Sequence, residues 1–302
     1  MRFLPAPALA LLAALPLWLS DYGLGLMIGM VTYVTLASAW ALFSGHTRYV
    51  SLATVAFYGT GAYTVAVLNE VLPYPLVLLC AGGIGAALAL VVGLSTLRLA
   101  GVYFVIFTFG LAELVRQLIT WYEVKVTGTL GRYIFLEVTP RGIYWQMLAL
   151  GVATIGLTAW IHRHRLGLAL RVIGDDEVVA AHSGINLART KLIAFTLSAT
   201  IITLAGAIAS PRWVYVEPSI VFNPTVSFLT VIMALLGGAH RLWGPLLGAV
   251  PLFLLFEWLS VHFPDTYPIF LGLLFIGVVF AFPHGVLEGM EALRHRLKEC
   301  RA

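Results

Sequence analysis

The segment Ile161–Lys191, IHRHRLGLALRVIGDDEVVAAHSGINLARTK, is a polar interruption between long apolar runs. It is rich in charged residues, although the whole 302-residue chain is only 11% charged and 60% hydrophobic. A soluble chain of this length needs roughly 25% charged residues to cover its surface. Lipid, in contrast, solvates the outer face of a membrane protein. We therefore expect a membrane-embedded chain whose loop 162–191 stays in water and serves as a docking place for a soluble protein.

The apolar runs predict about ten membrane-spanning helices, because roughly 20 apolar residues cross the ~30 Å hydrocarbon core. These spans lie near residues 3–20, 23–44, 52–69, 74–97, 101–120, 142–161, 191–210, 224–239, 244–262 and 266–284. We interpret the first span as an uncleaved helix, since Pro16–Leu19 occupies the place of a signal cleavage site. The predicted fold class is all-α integral membrane, with one transmembrane domain over residues 1–302.

Lysine and arginine residues between the spans predict the orientation, because cytoplasmic loops are enriched in them. Such residues cluster in the loop 162–191 and in the tail 285–302. An even number of predicted spans separates the two segments, so both can lie in the cytoplasm together with the N-terminus. The segments near 121–141 and 211–223 then face outward, although they also contain basic residues. Positive-inside topology explains the net charge of +4, so we expect no nucleic-acid partner.

Enzyme motifs do not appear in the sequence. The only lysines are Lys125, Lys191 and Lys298, and none follows a glycine, which excludes a P-loop. The histidines are scattered, and Cys80 and Cys300 lie far apart, so no metal-ligand spacing exists. We expect a protein that is not an enzyme, with no catalytic residue, metal or cofactor.

The loop 162–191 contains the pattern of a short helix. Asp175 is predicted as its N-cap, acidic residues in the first turn suit the helix dipole, and Gly184 suits the C′ position. The helix carries a small apolar surface over residues 178–181 and is too short to be stable alone. It either packs on its own membrane domain or docks to a cytoplasmic partner.

The stretch RVIGDDEVVAAHSGIN, Arg171–Asn186, resembles the cytoplasmic loop of branched-chain amino acid ABC transporter permeases, a group that includes urea and amide permeases. Blocks at 59–63, 97–104, 237–249 and 282–285 are also similar to this family. The resemblance implies a type II ABC importer fold of about ten helices. It also implies that the loop seats in a groove of the ATPase through Arg171, Asp175, Asp176, Glu177, Gly184 and Asn186.

The same resemblance implies the partners and the location. They are cytoplasmic ATP-binding subunits, a second homologous permease, a periplasmic solute-binding protein and the lipid of a bacterial inner membrane. The cargo is a branched-chain amino acid or a similar small polar solute, with urea or a short-chain amide as the alternative. Departures from the family pattern keep the substrate open: Arg48, Ala53 and His240 replace usual glycines, and Thr129 replaces another. Arginine and histidine adopt glycine-like backbone geometries only at a cost.

Several residues in or next to the predicted spans are candidates for the translocation pathway: Ser51, Phe57, Tyr58, Tyr63, Thr108 and Glu257. Packing is the alternative role for the aromatic residues, and a bond to its own helix backbone is the alternative for the threonine. Glu113 and Arg116 lie three residues apart, so they can neutralise each other on one helix. A rival function is an ion-coupled secondary transporter that uses Glu113 or Glu257 as its proton site.

Overall fold

A computed structural model describes residues 11–99, 101–136 and 138–281. Residues 3–10 of the first predicted span, the block at 282–285 and the tail 285–302 lie outside the described residues. Within them the chain is almost wholly helical, which confirms the all-α membrane class. The helices are α1 Asp21–Trp40, α2 Thr54–Leu68, α3 Tyr74–Thr96, α4 Val102–Tyr122, α5 Pro140–Arg163, α6 Arg165–Asp175, α7 Glu177–His182, α8 Leu187–Ala209, α9 Pro218–Val221, α10 Thr225–Gly237, α11 Gly244–His262 and α12 Tyr267–Ala281.

Four shorter elements complete this path. π-helical turns at Ala41–Gly45 and Glu123–Thr127 extend α1 and α4, and 3-10 turns lie at Leu15–Leu17 and Ser210–Arg212. Two short strands, β1 Arg132–Tyr133 and β2 Tyr215–Val216, pair antiparallel and join the segments after α4 and α8.

Within the described residues, seven helical segments are long and apolar enough to cross a bilayer: Asp21–Gly45, Tyr74–Thr96, Val102–Thr127, Pro140–Arg163, Leu187–Arg212, Pro218–Gly237 and Gly244–His262. Helix α2 is apolar but only 15 residues long. The chain is a multi-pass membrane protein, and the count of ten spans stays a prediction.

Helix α8 lies at the centre of the bundle, where its backbone touches that of α2. A Cβ added at Gly61 would lie 1.9 Å from the Thr203 carbonyl oxygen, and one added at Gly206 would lie 2.0 Å from the Tyr58 carbonyl oxygen. Only glycine permits this approach, because any side chain would separate the two helices. The α2–α8 contact is therefore backbone on backbone.

Candidate functional site

The loop between α5 and α8 forms two helices, α6 and α7, rather than the single helix predicted. Helix α6 continues through Asp175, so the prediction of Asp175 as the N-cap was wrong by one residue. Asp176 has the extended backbone that an N-cap needs and accepts hydrogen bonds from the amides of Val178 at 2.7 Å and Val179 at 3.1 Å. The structure thus gives Asp176 the capping role.

The end of α7 confirms the predicted role of Gly184. This glycine has φ +78°. Its amide donates to the carbonyl of Ala181 at 3.0 Å, and the Ile185 amide donates to that of Ala180 at 3.2 Å. This pair of bonds is a Schellman motif. Asn186 follows at once as the N-cap of α8, accepting from the Arg189 amide at 3.0 Å, so α7 is closed by defined caps at both ends.

One face of α7 is tied to the bundle by Glu177. Its Oε1 accepts hydrogen bonds from the Tyr49 hydroxyl at 2.6 Å and from Lys191 Nζ at 2.5 Å. The Lys191 ammonium also lies 4.3 Å from the Tyr49 ring centroid and is almost fully buried. Burial and the Glu177 carboxylate raise the pKa of Tyr49, so this hydroxyl stays protonated as a donor.

The other face of α7 is open. Val178 and Val179 are 64% and 55% exposed, an apolar surface at the tip of a polar loop. Both roles predicted for the short helix therefore have support: it packs on its own membrane domain and leaves a face for a partner. Sequence reasoning missed Tyr49 and Lys191 as its anchors. An isolated lysine at the start of an apolar run was the available signal for Lys191.

The C-terminal part of α6 packs on the segment that follows α1. A Cβ added at Gly174 would lie 2.0 Å from the His46 carbonyl oxygen. Arg48 forms an exposed ion pair with Asp175 at 2.9 Å. A cleft of about 200 Å³ opens here, lined by Gly45, His46, Arg48, Arg171, Asp175 and His240.

Arg48 and His240, which replace usual glycines, behave differently. Arg48 has φ +59°, the one positive φ of a non-glycine among the described residues. The expected backbone cost is therefore confirmed there. For His240 the expectation was wrong, because the positive φ of this turn, +91°, belongs to Gly238. The His240 ring instead contacts the carbonyl oxygen of Gly45.

Two of the predicted pathway residues, Ser51 and Phe57, line one small internal cavity of about 10 Å³, which is room for about one water molecule. Hydroxyls and aromatic rings share its wall, and its lining contains no charged side chain. The hydroxyls of Ser44 and Thr54 are buried without a hydrogen-bond partner in the protein. The remaining lining residues are Trp40, Phe43, Phe195, Ser198, Ala199 and Ile202.

The other predicted pathway residues do not line this cavity. The Tyr58 ring packs against Trp213 with centroids 6.2 Å apart, and the Tyr63 ring packs against Phe222 at 6.3 Å. The Thr108 hydroxyl donates to its own helix at Val105. Glu257 lies half-buried near the end of α11. Packing, the alternative for the tyrosines, accounts for these ring contacts. The Thr108 hydroxyl bonds its own helix as expected and also accepts from the Leu52 amide at 3.1 Å, which links α4 to the segment before α2.

Acidic residues in the membrane-spanning helices are paired in two places. Glu113 accepts from Arg116 and, at 2.9 Å, from Gln117, which confirms the predicted pairing. Glu123, which sequence reasoning missed, is 1% exposed; it accepts from the Gly131 amide at 2.7 Å and from Arg132 Nε at 3.0 Å. This second pair fixes the loop that carries β1.

Residues 23–279 match the family described as the branched-chain amino acid transport system / permease component. The chain belongs to this family. It is therefore a membrane permease subunit of the ABC transporter type.

Individual relatives agree with this assignment. The high-affinity branched-chain amino acid transport system permease protein LivM of Salmonella typhimurium is 27% identical over 92% of this chain and 73% of its own length. LivM of Escherichia coli K12 gives the same values. BraD of Pseudomonas aeruginosa, a permease protein of the same description, is 28% identical over 53% of this chain and 54% of its own. No solved structure matches the permease.

Proposed function

We propose that this permease is one of two membrane subunits of an ABC importer in a bacterial inner membrane. A periplasmic binding protein delivers a branched-chain amino acid or a similar small solute to the outward end. Cytoplasmic ATP-binding subunits grip α7 and drive the bundle between outward-open and inward-open states. In this orientation both termini, the loop 162–191 and the tail 285–302 lie in the cytoplasm, which agrees with the distribution of basic residues.

The main support for this proposal is the way in which α7 is bonded to the membrane helices. Through Glu177 the helix is bonded to Tyr49, which precedes α2, and to Lys191, in the first turns of α8. A partner that binds Val178 and Val179 would therefore displace two membrane helices together with α7. A helix of six residues would be a poor structural support by itself. The position of α7 suits a role in transmitting movement from the ATP-binding subunits to the membrane helices.

The lining of the internal cavity suits an amphiphilic solute, which can enter only when the bundle opens, because the cavity as it stands holds about one water molecule. Phe195 packs edge-on against Phe43 and Phe57, with centroids 5.3 and 5.6 Å away. These rings offer an apolar wall to an aliphatic side chain, while the unpaired hydroxyls of Ser44 and Thr54 offer hydrogen bonds to polar groups. Urea has no aliphatic part to use the rings. The cavity therefore favours a branched-chain amino acid over urea.

The test is ATP hydrolysis by the complete complex in proteoliposomes. Glu177→Lys places two ammonium groups together beside Tyr49, so solute-stimulated hydrolysis is expected to fall at least tenfold while membrane insertion is unchanged. Glu70→Lys makes the same charge change at an exposed residue and serves as the control. Normal stimulation with Glu177→Lys would remove α7 from the coupling role.

Substrate and energy source need separate measurements. Leucine uptake is expected to disappear when the gene is deleted, whereas loss of urea or amide uptake alone would favour the alternative cargo. Uptake by the purified single chain under a proton gradient without ATP would support a secondary transporter. The ion pair that occupies Glu113 counts against that mechanism.

A further inference from the structure

Helix α4 carries a polar network along its middle. This helix and the π-helical turn after it form the membrane-spanning segment Val102–Thr127. Glu113 accepts hydrogen bonds from two nitrogens of the Arg116 guanidinium and, at 2.9 Å, from the Gln117 amide. The side chains of Glu113 and Arg116 are 45% and 29% exposed, and Gln117 is exposed as well. These charges are therefore not enclosed by the rest of the described chain.

Exposed aromatic residues of α4 indicate the depth of this network. Tyr103 lies at one end of the helix and Trp121 at the other, and both are mostly exposed. Tyrosine and tryptophan are enriched at the two membrane–water interfaces. These two residues are about 27 Å apart at 1.5 Å per residue, close to the ~30 Å of the hydrocarbon core. Glu113 lies about 15 Å from Tyr103 and about 12 Å from Trp121, so the ion pair is near the middle of the membrane.

The network points away from the bundle. The buried positions of α4 recur every four residues and form one face of the helix: Phe104, Thr108 and Ala112. At 3.6 residues per turn, the positions of Gly110, Glu113 and Gln117 lie about 140–180° around the helix from the centre of that face. Among the described residues, no atom lies within 4 Å of a Cβ added at Gly110. These three residues form a stripe on the outer side of α4, which we call the polar stripe.

A neighbouring part of the same helix surface suits lipid. Leu114 and Leu118 are more than half exposed and carry no polar group. They lie about 100° around the helix from Glu113 and Gln117. Helix α4 thus has an apolar side for hydrocarbon and, at the same depth, a polar side that hydrocarbon does not suit.

We propose that the polar stripe is the surface on which a membrane-spanning helix of the second permease subunit packs. This inference rests on the proposed function, in which two membrane subunits form one importer. Charged side chains are costly to place against hydrocarbon, which counts against lipid as the occupant. The ATP-binding subunits and the solute-binding protein lie in water and do not reach the middle of the membrane. Another membrane-spanning chain does.

The polar stripe also indicates the chemistry of the partner helix. Gly110 allows a second backbone to approach closely, as small residues do in pairs of membrane helices. The bonds within the network use two of the five N–H donors of Arg116 and one N–H of Gln117. We therefore expect a hydroxyl, amide or carbonyl group of the partner at this depth. No net charge is needed there, because Glu113 and Arg116 neutralise each other.

The first test is photo-cross-linking in membranes that contain the complete complex. Gln117→p-benzoylphenylalanine is expected to cross-link to the second permease subunit, identified by mass spectrometry. Leu118→p-benzoylphenylalanine, at the same depth on the apolar side, is the matched control and should give much less of this product. An equal or higher yield from Leu118 would place the interface elsewhere.

Two other products of the Gln117 variant would overturn the proposal. A cross-link to lipid alone would show that the polar stripe faces the bilayer. A cross-link to residues 1–10 or 282–302 of the same chain would show that the protein covers the polar stripe itself.

The second test compares two glycines in membrane helices. An added Cβ meets no described atom within 4 Å at Gly110 on α4 or at Gly83 on α3, so neither substitution disturbs packing within the described chain. Gly110→Leu is expected to retain roughly tenfold less of the second permease subunit when the tagged chain is purified in detergent. Gly83→Leu is the control and should retain the natural amount.

The natural complex separates failure of this inference from failure of the proposed function. Normal solute-stimulated ATP hydrolysis, together with equal assembly of the two glycine variants, would show that only the interface is wrong. Purification of the natural chain without any second membrane subunit would overturn both.

Discussion

The Tyr49 hydroxyl donates a 2.6 Å hydrogen bond to the Glu177 carboxylate across 128 positions of the chain. Lys191 donates to both groups, at 2.9 Å to Tyr49 and 2.5 Å to Glu177. The three side chains join the segment before α2, the helix α7 and the start of α8. The buried Lys191 ammonium has two hydrogen-bond acceptors, the Glu177 carboxylate and the Tyr49 hydroxyl. A lysine–carboxylate pair without the phenol would leave more of the buried charge without a hydrogen-bond partner.

Tyr49→Phe removes the phenol and keeps the Glu177–Lys191 ion pair. Because a hydrogen bond to a charged group contributes about 1.5–3 kcal/mol, we expect a lower melting temperature in detergent and weaker solute-stimulated ATP hydrolysis. Tyr133→Phe, at an exposed tyrosine, should change neither. Unaltered melting of Tyr49→Phe would show that the phenol adds nothing to the ion pair.

Gly184 offers a matched pair of substitutions. No atom lies within 4 Å of an added Cβ there, so only the backbone conformation restricts the position. Asparagine adopts left-handed φ readily and valine does not. Gly184→Asn is therefore expected to retain most ATPase stimulation, and Gly184→Val to lose most of it. Equal activity of the two variants would contradict the need for the Schellman motif.

Arg48 combines a strained backbone with an exposed ion pair. A left-handed non-glycine residue costs about 1–2 kcal/mol, whereas exposed pairs contribute about 0–1 kcal/mol. Arg48→Gly should thus be at least as stable as the natural protein, and Arg48→Ala less stable than Arg48→Gly by about 1 kcal/mol. Thermal melting of the three proteins checks this order, and an Arg48→Gly variant less stable than the natural protein would show that the pair with Asp175 outweighs the strain.

His46 makes the stability depend on pH. Burial, followed by the nearby His162, Arg171 and His240, lowers the pKa of His46 from 6.5 to about 4. The unfolded chain takes up this proton first as pH falls, so the stabilisation present above pH 6.5 is lost towards pH 4, by up to about 3 kcal/mol. His46→Phe is expected to flatten the fall in melting temperature between pH 7 and 4.5. An equally steep fall would assign it to other groups.

Apolar runs predicted the positions of the membrane helices well, because burial in lipid is decided by composition over 20 residues. The caps of α7 were predicted to within one residue, since Asp and Gly act locally there. The meeting of Tyr49 with Glu177 could not be predicted, because local patterns do not specify which distant polar groups approach. Nor could the residues that line the cavity be distinguished in the sequence from those that only pack. Helix α2 is apolar on all sides, so its sequence pattern does not show that Phe57 lines the cavity whereas Tyr58 packs against Trp213.

At Gly61 and Gly206 the backbones of α2 and α8 touch directly. No side chains lie between the two helices there that could change conformation when α8 moves. We therefore expect helices α2 and α8 to tilt together, because backbones in such close contact cannot slide past each other without first separating. Phe57, on the wall of the cavity, belongs to this unit, and so does the turn of α8 next to α7. In the proposed mechanism, a movement of the loop would therefore reach the wall of the cavity through this unit.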